Sequence, residues 1–141
     1  MKKVKITDLK IIKTSNGDVM HVLKKSNSEY KGFGEAYFSQ INYKKVKGWK
    51  CHTQMTSNLV VAHGAVRFVI KDDENKSTGY CEFILSKENY KRITIPPGVW
   101  FAFQGLEKPF STILNISDIE HKPEESKNVN IEKFQFDWRL K

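Results

Sequence analysis

Between residues 35 and 117 the chain alternates apolar and polar side chains with a period of two, and turn-forming pieces repeatedly interrupt it. The alternating or β-branched runs are EAYFSQIN, NLVVAHGAVRFVIK, GYCEFIL, KRITI, WFAFQGL and STILNIS, and the interruptions include KDDENKSTG, SKEN and PPG. A period of two gives a strand one buried and one exposed face, a pattern that no helix can use. Many short strands at short spacing, with no long amphipathic helix before about residue 120, predict an all-β chain folded as a sandwich or small barrel of the jelly-roll kind. The 141 residues suffice for one domain, and 39% hydrophobic residues with nine Phe, five Tyr and three Trp exclude a disordered chain. The polar stretch HKPEESKNVNIEK, His121 to Lys133, is expected to be a short terminal excursion with Pro123 near the start of a short helix or loop. The last segment, FQFDWRLK, carries Phe134, Phe136 and Trp138 in alternation, so it should pack back on the sheet or on a partner subunit.

The basic start of the chain contains no apolar stretch long enough for a signal-peptide core, and no segment approaches the roughly 20 apolar residues of a membrane span. A soluble, cytoplasmic protein without a membrane partner is expected. Cys51 and Cys81 are too few and too far apart for a disulfide framework and read as ordinary buried thiols. The net charge of +8 favours anionic partners. Its lysines are dispersed, however, and no helix-turn-helix or RNA-binding signature accompanies them, so a lysine-rich solvated surface is expected rather than a nucleic-acid interface.

The stretch KGWKCHTQ, Lys47 to Gln54, holds the most concentrated polar chemistry. As a strand after Gly48 it places Trp49, Cys51 and Thr53 on one face and Lys50, His52 and Gln54 on the other. Such a row is either a solvated surface, which composition alone favours, or the lining of a ligand pocket. Elsewhere, His63 before Gly64 reads as a turn residue between two strands. Arg67 alternates against Val66, Phe68 and Ile70 and so leaves the apolar face, where it is solvated or, with Lys47, meets a pyrophosphate. Trp49, Trp100, Tyr37 and Phe38 are either core or a stacking surface. Tyr37 is also a candidate phenolic acid.

From Gly17 to Glu125 the order of pieces resembles the cupins and, within them, the dTDP-4-dehydrorhamnose 3,5-epimerases: GEAYFSQIN, KGWKCHTQ, LVVAHGAVRFVIKDD, LSKENYKRITIPPGVWFAF, then ILNISDIEHKPEE. The resemblance implies a single cupin jelly-roll domain over residues 1–141 and a homodimer through an exchanged N-terminal strand. It further implies metal-free epimerisation or isomerisation beside the 4-keto group of a nucleotide-linked deoxysugar, for surface polysaccharide synthesis. The family's motif Arg-Gly-Leu-His-Tyr-Gln falls on Lys47, Gly48, Trp49, Lys50, Cys51 and His52, so Lys50 stands where the family has its base. Its second His falls on Phe101 and its acid Tyr on Leu114. Metal-binding cupins use an HxH pair, a Glu and a third His; here these positions hold Lys50 and His52, Ser57 or Asn58, and Phe101. One histidine of four ligands remains, so no metal and no cofactor is expected.

The candidate proton-transfer residues are therefore His52 as base, Lys50 as electrostatic partner of a keto or enolate oxygen or as a base itself, and Tyr37 as acid. Candidate substrate contacts are Lys47, Gln54, Arg67 and Asn115, with Ser117 and Asp118 beside Asn115. His21 joins them because NGDVMH matches the family's nucleotide-binding strand, with Asn16 at its Arg and His21 at its Glu. The alternatives are a non-catalytic cupin that binds a sugar nucleotide or saccharide, and a basic polyanion-binding protein.

Overall fold

The computed structural model describes residues 4–140. Twelve strands run β1 Lys5–Asp8, β2 Ile11–Ile12, β3 Val19–Met20, β4 Glu35–Asn42, β5 Val46–His52, β6 Ser57–His63, β7 Ala65–Lys71, β8 Tyr80–Ser86, β9 Lys91–Ile95, β10 Trp100–Gly105, β11 Phe110–Ser117 and β12 Ser126–Asn128. Two 3-10 turns, Pro123–Glu125 and Ile131–Lys133, are the helical elements among the described residues, and no helix there is long and apolar enough to cross a membrane. Strands β1-β9-β6-β11-β4 form one sheet, β12-β5-β10-β7-β8 a second, and β2-β3 a small hairpin. Every named strand pair is antiparallel, and the two larger sheets make a jelly-roll sandwich.

Alternation explains which side chains meet between the sheets. Val66, Phe68 and Ile70 of β7 point inward and pack with Leu59, Ile93 and Ile113 of the first sheet, while Arg67 points out. The run NLVVAHGAVRFVIK bends at Gly64, whose φ of +85° suits glycine and lets β6 turn into β7. His63 stands exposed at that corner.

Each outer face is covered in part. The C-terminal segment folds back across the second sheet, where Phe134, Phe136 and Trp138 close over fully buried Trp49, Val69 and Ala102. The Trp49 indole donates to the Ile131 carbonyl at 3.0 Å. The expected return of the tail onto the sheet is thus made within the chain. The segment following β3 lies over the first sheet, held by a buried charge network. Arg92, 1% exposed, donates to the Val22 carbonyl at 2.6 Å and to Glu29 Oε1 at 2.5 Å, and Lys5 reaches Glu29 Oε2 at 2.7 Å.

This network makes stability depend on acid. Lys5 first, then the Ser28 hydroxyl, hold the Glu29 carboxyl at about 2, against the opposing push of burial and with the Arg92 charge assisting. The folded value lies below the ordinary 4.5. Its stabilisation is therefore present above that pH and is lost as pH falls toward the folded value. Glu29→Gln is expected to flatten the fall of the urea midpoint between about pH 4.5 and 2. At neutral pH it should lower stability by about 3 kcal/mol, because Arg92 is left buried without its counter-charge. Equal acid slopes in the two proteins would remove this account.

Candidate active site

A cavity of about 380 Å³ opens between the sheets. The second sheet contributes Lys47, Lys50, His52, Phe101 and Phe103 to its lining, and the first contributes Tyr37, Ser39, Leu59, Ile113 and Asn115. Asn128, beside Lys50 across the β12-β5 pairing, also lines it.

A bulge decides which face of β5 looks inward. Phe101 pairs with Lys50 and Phe103 with Lys47, yet Ala102 pairs with Gly48, so Gly48 and Trp49 together oppose one residue of β10. Partners in register share a face, and both lysines therefore stand with the two phenylalanines in the cavity wall. Strict alternation would have put Lys47 and Lys50 on opposite faces. The extra residue sends Trp49 outward to the aromatic tail. Gly48 makes this possible: its φ is +136°, and an added Cβ would lie 2.5 Å from the Ala102 Cβ.

His52 ends β5 inside the cavity, 6% exposed. Its Nδ1 lies 2.7 Å from Glu125 Oε1. The other carboxylate oxygen accepts the backbone N–H groups of Gln54 at 2.9 Å and Met55 at 2.8 Å. Burial pushes the Glu125 carboxyl upward, but the Gln54 N–H, the His52 ring and the Met55 N–H outweigh it and hold the group below its ordinary value. A carboxylate on Nδ1 fixes the neutral imidazole with its proton there and leaves Nε2 as a lone-pair acceptor. Nε2 has no protein partner among the described residues.

The remaining candidates separate clearly. Lys50 is half-buried in the wall, and its Nζ makes no hydrogen bond or ion pair among the described residues. Lys47 Nζ donates to the Gln40 carbonyl at 2.5 Å and to Ser39 Oγ at 3.3 Å. Tyr37 faces these groups from the first sheet, its hydroxyl 2.7 Å from Asn115 Nδ2. Gln54 does not continue the row. Glu125 captures its N–H and that of Met55, so the chain turns after His52 and the Gln54 side chain is exposed outside the cavity.

Arg67 lies on the outer face of the second sheet. It donates to Gln104 Oε1 at 2.5 Å and sits 5.5 Å from the Phe136 ring centre and 5.7 Å from that of Trp138. His21 lines a separate cleft with Lys10 and Arg92 and does not reach the cavity of its own chain. Ser117 is buried behind Asn115, and Asp118 accepts the Thr56 N–H at 2.8 Å. Trp49 belongs to the outer aromatic cluster, whereas Phe38 is exposed. No three His, Cys, Asp or Glu side chains are grouped to hold a metal ion among the described residues.

Glu125, Asn128, Ser39 and Phe103 were not among the sequence candidates. The glutamate was visible only as part of a polar PEE stretch, and nothing local marks it among sixteen acidic residues. It comes within reach of His52 across 73 positions of chain.

Two facing antiparallel sheets around a cavity of this kind define a fold class, the cupin jelly roll. The fold matches the crystal structure of a dTDP sugar isomerase from Desulfovibrio desulfuricans G20, with 29% identity, 97% of this chain and 91% of that one covered, and a TM-score of 0.88. At lower identity the fold alone is shared with two further proteins. One is the dTDP-4-dehydrorhamnose 3,5-epimerase of Elizabethkingia anophelis NUHP1 (17% identity, 99% and 83% covered, TM-score 0.79). The other is QdtA, a sugar 3,4-ketoisomerase of Thermoanaerobacterium thermosaccharolyticum crystallised with TDP (14%, 90% and 88%, TM-score 0.76). No curated protein matches the sequence. Residues 2–135 match the model of the WxcM-like, C-terminal family (FdtA), and the chain belongs to that family.

Because Gly48 sets the phase of the cavity wall, Gly48→Ala should lower stability by about 1–3 kcal/mol in urea unfolding. Gly17→Ala is the control: its φ is +133°, but nothing lies within 4 Å of an added Cβ. A Gly48 variant no less stable than the Gly17 variant would show that the bulge does not depend on the missing side chain.

Proposed function

We propose that the protein is a metal-free epimerase or isomerase acting beside the 4-keto group of a nucleotide-linked deoxysugar. The observation that carries this reading is the His52–Glu125 pair, which presents a lone-pair nitrogen to a cavity also holding an unpaired Lys50. The family membership and the likeness to a dTDP sugar isomerase support the choice of substrate class.

In this reading His52 Nε2 removes a proton from the carbon next to the ketone. The resulting imidazolium is stabilised through Nδ1–H by the buried Glu125 carboxylate. Negative charge develops on the ketone oxygen, and the Lys50 ammonium stabilises it where the apolar walls of Phe101, Leu59 and Ile113 limit screening. Tyr37, on the opposite wall, is the second proton carrier. Return of the proton from His52 to the former ketone carbon on the same side, with the hydroxyl proton of the first carbon passing to the former ketone oxygen, gives isomerisation, whereas delivery from Tyr37 to the first carbon gives inversion. Lys47 is the nearest polar group for the rest of the substrate, and Asn115, bonded to the Tyr37 hydroxyl, bears on it through Tyr37. Gln54 and Arg67 lie outside the cavity, and His21 is a contact only if an N-terminal segment is exchanged in a homodimer. We place this activity in the cytoplasm and in surface polysaccharide synthesis.

A second reading is favoured by one observation. Phe101 and Leu114 stand where the resemblance calls for the second His and the acid Tyr, so the cavity would bind a sugar nucleotide without converting it. Proton NMR of nucleotide-linked 4-keto sugars in heavy water separates the two. Deuterium should enter ring carbons next to the ketone, at a rate lowered about 10²-fold or more by His52→Ala, with Glu125→Gln slowing exchange as well. Line broadening of a nucleotide sugar without any exchange would replace the enzyme reading with the binding one.

A further inference from the structure

The inward positions of β11 read Ser111, Ile113, Asn115 and Ser117, so a buried row with a single apolar member ends in an amide that lines the cavity and a hydroxyl behind it. Burying these groups costs stability unless they are hydrogen-bonded, and their bonds form a chain aimed at the cavity. Ser117, fully buried, places its hydroxyl 3.5 Å from Asn115 Oδ1. Asn115 Nδ2 in turn lies 2.7 Å from the Tyr37 hydroxyl oxygen. Asn115 and Tyr37 are direct cross-strand partners of β11 and β4, so the contact is set by sheet register and not by a mobile loop.

The direction of this chain has a consequence for Tyr37. A serine hydroxyl donating to the amide oxygen turns the Asn115 NH2 group toward the phenol, and the phenol oxygen accepts. Its own hydrogen is then left without an acceptor among the described residues. We propose that Asn115 is a positioning residue, which with Ser117 behind it commits the Tyr37 O–H to be donated into the cavity. This rests on the reading of the cavity as a nucleotide-sugar site. In the inversion branch the Tyr37 O–H bond breaks as the new C–H bond forms on the face opposite His52. The phenolate left behind keeps the Asn115 N–H as its donor. Tyr37, 46% exposed, regains a proton from water, and His52 releases to water the proton it removed. Asn115 acts through Tyr37 throughout and does not touch the reacting atoms.

The test is a double-mutant cycle over Asn115→Leu and Tyr37→Phe, read both as kcat and KM and as the Kd of a dTDP-linked 4-keto sugar by calorimetry. Thermal unfolding of each variant reports folding. The Asn115→Leu change should lower kcat on the order of tenfold, the size of a coupling between directly bonded side chains, with a smaller change in KM. In the Tyr37→Phe background the same change should have almost no further effect on kcat or Kd. Asn115→Asp, which can only accept, should draw the phenol hydrogen back and weaken binding more in the Tyr37 protein than in the Tyr37→Phe protein. Equal effects of Asn115→Leu in both backgrounds overturn the proposal, since Asn115 would then contact the sugar itself or serve packing alone. Binding without turnover in the wild type overturns the enzyme reading but leaves the Kd cycle to decide the role of Asn115. Absence of binding in the wild type overturns both. If Asn115→Leu fails to fold, Ser117→Ala takes its place in the cycle under the same criteria.

Discussion

The Glu125 carboxylate joins the two ends of the site. One oxygen holds the His52 ring and the other holds the N–H groups of Gln54 and Met55, so one side chain orients a cavity nitrogen and also ends the strand that carries it. An anion buried at 2% exposure is costly unless its lone pairs are met by good donors. Here two backbone donors and a ring nitrogen meet them. The same 3-10 turn leads directly into β12, whose pairing with β5 brings Asn128 to the cavity. The C-terminal excursion is therefore part of the site's construction, and the backbone pairing of β12 reinforces what the carboxylate begins.

Strand β5 serves both sides of its sheet, and the bulge at Gly48 and Trp49 reconciles them. Inward, it offers Lys47, Lys50 and His52; outward, it offers Trp49 to an aromatic layer drawn from the tail. The Trp49 ring lies 5.4 Å from that of Phe134 and 5.8 Å from that of Trp138, distances at which aromatic pairs add to area burial. Packing energy from outside thus fixes the backbone that aims the cavity residues. Arg67 belongs to this outer layer. Its guanidinium lies against Phe136 and Trp138 and donates to the Trp138 carbonyl, which makes it a clasp for the tail.

How much of this was legible depends on the range of the interaction concerned. Alternation in β7 correctly separated Arg67 from Val66, Phe68 and Ile70, because each residue's face follows from its neighbours. The strands β4, β9 and β11 were readable for the same reason, and the order of pieces was enough to reveal the jelly roll. The two-residue strands β2 and β3 were not, since so short a run contains no period. Within β5 the one-residue insertion changes the phase, so Lys47 joins a face that alternation denied it. Gln54 was assigned by extending the row past a strand end set by a glutamate 71 residues away. Of the groups that line the cavity, His52 and Lys50 were legible in the sequence, while the group that orients His52 was hidden in an ordinary-looking acidic stretch.

The charges around the cavity favour an electron-rich reacting group over a neutral one. Lys47 and Lys50 line it, and no acidic side chain does so among the described residues. Lys47 is tethered to the Gln40 carbonyl and Ser39, which fixes its direction toward β4. Lys50 has no such tether. An ammonium beside apolar walls gains little from a neutral ketone and much more from the same oxygen once it carries charge, because reduced screening enlarges the difference between the two states. The separation of roles follows from this. In the proposed reaction His52 moves protons under the control of Glu125, and Lys50 stabilises charge without needing to release a proton. A lysine at the position where the resembled epimerases carry their base is then compatible with proton transfer at the neighbouring inward residue, two positions further along the same strand.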